Sequence, residues 1–499
     1  MLSATYVILT LVAFFTVRQV IITIKRRKFA KDHGCQKFTK TVGTASVIGN
    51  LQKVYKARKE GRLTEKLQES YDLYGVDTFE ARSLGSSTVF TRHPENIKAM
   101  IATQFDDFDI GKRQQVFRPL LGFGIFAAEG QRWKHSRAML RPQFAREQVA
   151  HVQSLEVHLQ NFVKIIKEQN GNFFDIQHLF HRLTMDASTE FLFGESVGSL
   201  KSPNNEFEAA FNTSQHYLTV RATLRGAYFL VNPKEFKDAN KVIFKTVRYY
   251  VDKALNTSPQ ELAKKTEEGY TFLYQLVNQT RDPQVLQDEM LSIMLAGRNT
   301  TASLLSFLFL ELSRNKRIWK KLREEVHEHF GNGEGSRLQD ITFESMKRCN
   351  YLKWVINETL RMYPSVPTNF RHASRDTTLP RGGGPTGDSP VFIKKNTDVF
   401  YTIYSTHRMK EYYGKDAEEF RPERWADLKN IGWAYMPFSS GPRICLGQQF
   451  ALTEASYITI RLAQIFTELD TSDEVYPPLK IANATMRPMN GVHVRFTTD

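Results

Sequence analysis

A mainly α-helical protein with a small β region, preceded by one N-terminal transmembrane helix, is what this sequence predicts. Three observations carry that reading. Residues 1–17 contain no charged side chain, and a basic cluster follows the apolar run. From about residue 50 apolar residues recur mostly at helical spacing. Short alternating runs, such as residues 75–90, mark a minority of strands.

The chain has 499 residues, 41% of them hydrophobic, and can bury a large core. No internal repeat or low-complexity linker divides it. Three cysteines, Cys35, Cys349 and Cys445, lie far apart, which argues against a disulfide framework or a zinc cluster and fits a reducing compartment. The net charge of +15 suits an anionic membrane surface or an acidic protein partner. No nucleic-acid-binding motif accompanies it.

The elements follow in order. As a helix, residues 4–24 would reach ~30 Å, the hydrocarbon thickness of a bilayer. Arg18 interrupts the run, and its long side chain can snorkel to a boundary. A cleaved signal peptide expects its charge before the apolar run. Here Lys25-Arg26-Arg27-Lys28 comes after it, so these residues stay cytoplasmic by the positive-inside rule. An amphipathic helix lying in the interface is the alternative. We assign residues 1–24 to an anchor, 25–50 to a basic juxtamembrane linker and 51–499 to one globular domain. The first proline is Pro94, so no proline-rich hinge follows the anchor.

Residues 106–130, rich in Gly and aromatics, read as a long loop of the kind that carries function. Trp133 and Arg137 then share a helix face at i,i+4. Asp282 and Pro283 read as an N-cap and first turn of a long apolar helix ending near Arg314. Inside it runs Ala296-Gly297-Arg298-Asn299-Thr300-Thr301-Ala302. Gly and Thr lower helix propensity there, and Thr hydroxyls compete for carbonyls one turn back, so a local distortion with room for a small ligand and a water is expected. Glu358 and Arg361 face the same way at i,i+3. Arg424, about sixty residues on, can complete a buried cluster of two arginines and one carboxylate, an arrangement suited to fixing local geometry. Residues 364–384 read as turns within a small β region, without the Lys-Ser/Thr of a phosphate loop. Asn490-Gly491 reads as a hairpin turn.

Near the C-terminus stands Phe438-Ser439-Ser440-Gly441-Pro442-Arg443-Ile444-Cys445-Leu446-Gly447, with an apolar helical pattern directly after it. A thiolate just before a helix N-terminus faces the positive end of the dipole and free N–H groups, as an axial iron ligand requires. Gly441 and Gly447 allow a tight turn close to a flat cofactor. Arg443 can reach a carboxylate on its rim.

The string F-x-x-G-x-R-x-C-x-G resembles the haem-binding loop of the cytochrome P450 family. Residues 133–144 (WKHSRAMLRPQF), 191–196 (FLFGES), 378–384 (TLPRGGG) and 432–454 resemble the alkane-inducible cytochromes P450 of Candida-type yeasts. The resemblance implies the P450 fold and Cys445 as axial ligand of haem iron, with Phe438, Gly441 and Gly447 shaping the loop. Arg443, Trp133 and Arg137 would bind haem propionates, with Arg371 or His372 as a further contact. Glu358, Arg361 and Arg424 would scaffold the Cys loop. Thr300 would hydrogen-bond the iron-bound oxygen and its water. Val366 would reach the substrate pocket, walled by residues 106–130 and 207–233; Met486 reads either as a pocket residue or as an ordinary core Met.

Two positions depart from relatives. The residue before Thr300 is usually an acid and here is Asn299, which orients water but relays no proton by ionising. A related mammalian fatty-acid hydroxylase family has Glu where this chain has Ala296, and that Glu esterifies haem; alanine implies a haem b held without such a bond. The implied function is hydroxylation of the terminal carbon of n-alkanes or fatty acids. It needs O2, electrons from NADPH–cytochrome P450 reductase, and single-pass residence in the endoplasmic reticulum membrane with the catalytic domain cytoplasmic. Lys134 and Arg348 are candidate reductase contacts. The alternatives are a monooxygenase for a sterol or xenobiotic, and a poorly coupled haem-thiolate lipid-binding protein.

Overall fold

The computed structural model describes residues 4–43, 47–83, 86–144, 154–258, 260–261, 264, 271–429 and 431–498. Helix α1 (Ala4–Asp32) continues past the apolar run expected to end it. At 1.5 Å per residue its 29 residues span ~44 Å, so its cationic end outreaches a bilayer core. That end lies against the rest of the chain. Arg26 Nε donates to Asp376 at 2.8 Å, and Phe29 meets the Phe392 ring edge at 5.9 Å. Residues 36–39 then bond to the backbone of Gly382, Gly384 and Pro390. Three of the residues between anchor and domain, 44–46, lie outside the described residues.

The main sheet has the order β1-β2-β3-β9-β6-β4. Its strands are β1 (Thr41–Gly43), β2 (Thr78–Ser83), β3 (Ser86–Thr91), β4 (Phe108–Asp109), β6 (Thr368–Ala373) and β9 (Asp398–Thr402). The alternation in residues 75–90 places Phe79, Phe90, Phe400 and Phe370 on one face, where they stack in series at 5.2–5.4 Å. Two residues of that run, 84 and 85, lie outside the described residues.

The helical part is built from α2 (Arg113–Leu121), α3 (Gly130–Leu140), α4 (Ile176–Phe193), α5 (Glu206–Leu224), α6 (Lys234–Asn256), α7 (Pro283–Arg314), α8 (Asn350–Met362) and α9 (Gln448–Ile465). Helix α7 starts as expected: Asp282 accepts from the N–H groups of Gln284 and Val285, with Pro283 at the first position. Its N-terminal half, through Met290, packs in one apolar core with Trp133, Phe211 and Phe236, and its C-terminal half, through Phe307, in another with Phe180, Trp319 and Ile356. Between the cores Ala296, Gly297, Asn299 and Thr300 are only half-buried. Helix α7 matches α1 in length and apolar character, but it is mostly buried in protein, whereas α1 is not.

Four expectations need correction. Residues 106–130 are not one long loop: β4 and α2 occupy them, and Leu120 and Leu121 of α2 are fully buried although Pro119 precedes them. Helix α7 stays α-helical through residues 296–302, because the Thr300 hydroxyl bonds to the Ala296 carbonyl without opening the turn. Residues 377–383 form β7, which pairs antiparallel with β8 (Ser389–Ile393) and has an irregularity between Leu379 and Gly383. Asn490-Gly491 joins β12 (Met486–Pro488) to β13 (His493–Thr497), but the two do not pair. β12 pairs with β11 (Lys480–Ala482), and β13 with β10 (Glu468–Thr471) and β5 (Phe174–Asp175).

The segment after α2 is laid directly on α7. Asp288 accepts from the Phe123 N–H at 2.8 Å, and Glu289 from the Ile125 N–H at 3.1 Å. Burial pushes Glu289 up to about 7, with Ser136 and the Ile125 N–H pulling the other way. The approach depends on Gly124, since a Cβ there would lie 2.5 Å from the Asp288 carbonyl oxygen. Gly124→Ala is therefore expected to destabilise the haem-loaded protein by about 1–3 kcal/mol, the range for overpacked sites. A urea melt at fixed ionic strength checks it, and an unchanged midpoint would contradict the contact.

Candidate functional site

The cysteine loop is held by its own backbone. The Cys445 N–H donates to the Phe438 carbonyl at 3.0 Å and Ile444 N–H to Gly441 O at 3.1 Å. Ser439 and Gly441 take positive φ values of 60° and 67°. Gly441 passes directly under the Ile101 carbonyl, where no Cβ fits. Gly447 is the N-cap of α9, so Cys445 stands at that helix's positive end. Cys445 faces a cavity of about 730 Å³ lined by Trp133, Arg137, Phe144, Gly441, Ile444 and Leu446, among others. The protein crowding its sulfur pushes the thiol up, while the Gly447 N–H and Arg137 pull the other way.

Around this loop cations gather, with Glu129 the carboxylate close enough to act on Arg443 and Arg113. Arg443 lies over the Trp133 ring at 4.3 Å and donates to Ala128 O at 3.2 Å. Arg137 donates to Ile444 O at 3.0 Å. Arg371 is buried; it donates to its neighbour's carbonyl at Phe370, and its Nε has no partner among the described residues. Arg113, at the start of α2, donates to Asn369 Oδ1 at 2.7 Å and lies over Phe370. Burial and then the charges of Arg371 and Arg113 push Arg443 down to about 9. Burial and then Arg371 push Arg113 down to about 10. Glu129 offsets only part of this, and its carboxylate already accepts from the Ile110 N–H at 2.6 Å. Guanidiniums held this close together favour an anion among them.

The two candidates on β6 separate. His372 turns to Asp398 at 2.8 Å, and that bond raises its pKa, so it is engaged elsewhere; Arg371 keeps the free edge. Arg113 was missed in the sequence. Nothing in its neighbourhood sets it apart from the other 67 Lys and Arg residues, and its segment reads as loop.

On α7, Thr300 Oγ1 donates to Ala296 O at 2.6 Å and Asn299 Nδ2 donates to Gln215 Oε1 at 2.6 Å. A Cβ on Gly297 would meet Ser188 Oγ at 3.2 Å. Met486 is fully buried in the larger core, with its carbonyl accepting from the Ser303 hydroxyl at 2.5 Å, whereas Val366 is half-buried. Glu454 on α9 is a further buried acid beside Thr301, and burial pushes it up to about 8. Lys134 and Arg348 are both exposed.

The Glu358 carboxylate is the hub of the scaffold. Arg361 donates to both of its oxygens, at 2.9 and 2.8 Å, and Arg424 Nε, Trp425 Nε1 and the Arg421 N–H add bonds of 2.8–3.0 Å. The remaining guanidinium N–H groups reach the carbonyls of His407, Tyr413, Ala417 and Glu419. His407 transmits the order to the cysteine loop: its Nε2 accepts from the Met436 N–H at 2.9 Å, two residues before Phe438.

Comparison with known proteins decides the family, because the cytochrome P450 profile matches residues 42–493. The chain belongs to the cytochrome P450 family. Cytochrome P450 52A3-B of Candida maltosa is 56% identical over 472 residues, 92% of this chain and 90% of that protein. Cytochrome P450 52A12 of Debaryomyces hansenii is 56% identical over 446 residues, 86% of each. The crystal structure of the cytochrome P450DA haem domain shares the fold, with a TM-score of 0.76 at 18% identity, covering 93% of this chain and 98% of that one. This P450 is a haem-thiolate monooxygenase of the alkane- and fatty-acid-hydroxylating type. Its cofactor is haem b and its electrons come from NADPH through a reductase. The residues present fit that cofactor: one cysteine at a helix N-terminus, and a group of cations only partly offset by Glu129.

Removing Arg361 leaves the Glu358 charge underpaired, so Arg361→Ala is expected to cost about 3–5 kcal/mol and to yield haem-free protein. The reduced-CO spectrum reads that loss. His407 gives a pH test. Burial, then the Arg361 and Arg408 charges, push it down to about 3. Between its ordinary value, about 6.5, and that value the unfolded chain binds a proton that the folded one does not. Stability therefore rises with pH across this window. From pH 7 to pH 5 the wild type should lose about 2 kcal/mol more than His407→Gln, by denaturant titration at both pH values. Equal losses would show that His407 is not the titrating group.

Proposed function

We propose that this P450 hydroxylates the terminal carbon of n-alkanes or fatty acids while anchored by α1 in the endoplasmic reticulum membrane. In this reading the catalytic domain is cytoplasmic and receives its electrons from NADPH–cytochrome P450 reductase. The observation that carries the chemistry is the pairing of Cys445, at the α9 N-terminus, with the cations Arg113, Arg371 and Arg443, which Glu129 offsets only in part. A thiolate ligand and a rim of anion-binding groups are what a haem needs. The substrate class rests on the likeness to the 52A relatives.

Cys445 would ligate the iron as thiolate, while Arg113, Arg371 and Arg443, with Arg137 and Trp133, would hold the propionates. Bound there, thiolate-ligated haem supplies the oxygen activation that inserts one oxygen atom into an unactivated C–H bond. The chain's own residues orient and supply protons. Thr300 has its hydrogen engaged with Ala296 O, which leaves its oxygen lone pairs to hold a water. Asn299 orients water as an amide and does not ionise. Terminal selectivity is a matter of orientation, because the methyl C–H bond is stronger than its methylene neighbours; the walls around α2 and α5 would enforce it.

A second apolar surface supports the membrane reading. Val54 and Tyr55 are exposed, as are Leu224 at the end of α5 and Phe229 and Leu230 in the turn after it, and Arg58 links the two segments by donating to Thr223 Oγ1 at 2.8 Å. Exposed apolar side chains on two segments tied together in this way suit contact with a lipid surface. The cations Lys25–Lys28 at the α1 end favour a cytoplasmic domain.

Reconstituted turnover with the reductase and NADPH, offering hexadecane and lauric acid separately, is expected to give terminal alcohol or acid from at least one. NADPH consumption without product from either would shift the reading to another lipophile. The Asn299 amide favours incomplete coupling, so Asn299→Asp should raise product formed per NADPH by about two- to threefold, a small part of what general-acid catalysis supplies. An unchanged ratio would remove this position from the proton path.

A further inference from the structure

Helix α5 crosses α7 through a polar seam. Glu208, Asn212 and Gln215, spaced four and three apart, share one face of α5. Their partners are consecutive on α7. Arg298 Nη2 donates to Glu208 Oε1 at 2.8 Å and its Nη1 to Asn212 Oδ1 at 2.6 Å. Asn299 Nδ2 donates to Gln215 Oε1 at 2.6 Å. Arg298 and Glu208 are buried, so the ion pair anchors the seam, and Gln215 ends it at Asn299, the residue before Thr300. The Gln215 Nε2 is buried without a partner among the described residues. An orphaned buried donor is costly, so the fit of Gln215 to Asn299 is retained at an energetic disadvantage elsewhere on the same side chain.

We propose that Gln215 is a positioning residue for oxygen activation. It acts through Asn299 and sets how much product forms per NADPH. With Nδ2 donating to Gln215, the end of the Asn299 amide left over is Oδ1, an acceptor. A water between Thr300 and Asn299 then has two fixed acceptors, Thr300 Oγ1 and Asn299 Oδ1, which together set its position and orientation beside the reacting oxygen. If Asn299 were released from α5, its amide would rotate and present either end, and the water would lose its fixed orientation. The inference rests on the reading that Thr300 and Asn299 border the oxygen site.

The test uses full-length protein in lipid with the reductase, measuring NADPH consumed, product and hydrogen peroxide together. Gln215→Leu is expected to lower product per NADPH by about two- to tenfold, the factor a single net hydrogen bond is worth, with peroxide rising to match. Gln215→Glu keeps the acceptor and should recover most of that loss. In an Asn299→Ala background Gln215→Leu should have no further effect, because its action passes through Asn299. A normal reduced-CO spectrum and an unchanged substrate-binding constant exclude a folding defect, and Gln215→Met serves if the leucine variant loads haem poorly. The proposal is overturned if Gln215→Leu leaves the ratio unchanged while Thr300→Val lowers it. It is equally overturned if Gln215→Leu lowers the ratio to the same extent in the Asn299→Ala background. If Thr300→Val also leaves the ratio unchanged, the oxygen-site reading fails and takes the proposal with it.

Discussion

The buried carboxylate of Glu358 is the constraint on which the rest of the structure depends. Placing a charge at zero exposure is expensive, and one guanidinium does not offset it. Here two do, with an indole N–H and a backbone N–H filling the remaining lone pairs. The arginines then use their other N–H groups to pin carbonyls of residues 407–419, a stretch with little regular structure of its own. The network therefore converts one ion cluster into the shape of a loop. The loop in turn delivers His407, as a neutral acceptor, to the backbone just before Phe438.

That rigidity is needed because the cysteine loop is poorly stable alone. It contains a non-glycine residue at positive φ, a glycine jammed under a carbonyl, and a thiol whose ionisation the surrounding protein disfavours. Next to it, Arg113, Arg371 and Arg443 repel one another. The last two costs, the thiol and the crowded guanidiniums, would be relieved by the same partner, a haem whose iron takes the sulfur lone pair and whose two carboxylates meet the arginines. The protein is thus complementary to a group that it does not encode, and folding and cofactor loading are linked.

Much of this was legible in the sequence, for identifiable reasons. The anchor, the α7 cap and the cysteine loop announce themselves because composition or short-range spacing defines them. The Glu358–Arg361–Arg424 cluster was legible because i,i+3 geometry supplies half of it and the later arginine falls at a telling distance. What escaped notice depends on long-range contact. Helix α2 was hidden by Pro119 and the flanking glycines, although burial of Leu120 and Leu121 holds it. The cation Arg113 becomes special only when β6 brings Asn369 and Arg371 beside it. His372 and Arg371 are neighbours in sequence, and only the pleat, which sends them to opposite faces, separates their roles. Asn490-Gly491 carries a turn signal whose strands belong to different sheets, and local sequence does not encode pairing partners.

The amide at position 299 is best understood as a property of the seam between α5 and α7. Arg298 is matched by Glu208, so the buried crossing already balances one positive with one negative charge. A carboxylate at the next residue would have to stay solvated or leave the seam with an unmatched anion, and the free donor on Gln215 is neutral and would compensate it only in part. Asparagine keeps the crossing neutral and bonds α5 at a second point. In the proposed reading the chain thereby gains a second tie between α5 and the half-buried stretch of α7 and gives up an ionisable group where oxygen chemistry would use one. Stability of the crossing and proton supply draw on the same side chain, and an acid can serve the second role only to the extent that α5 lets it turn away.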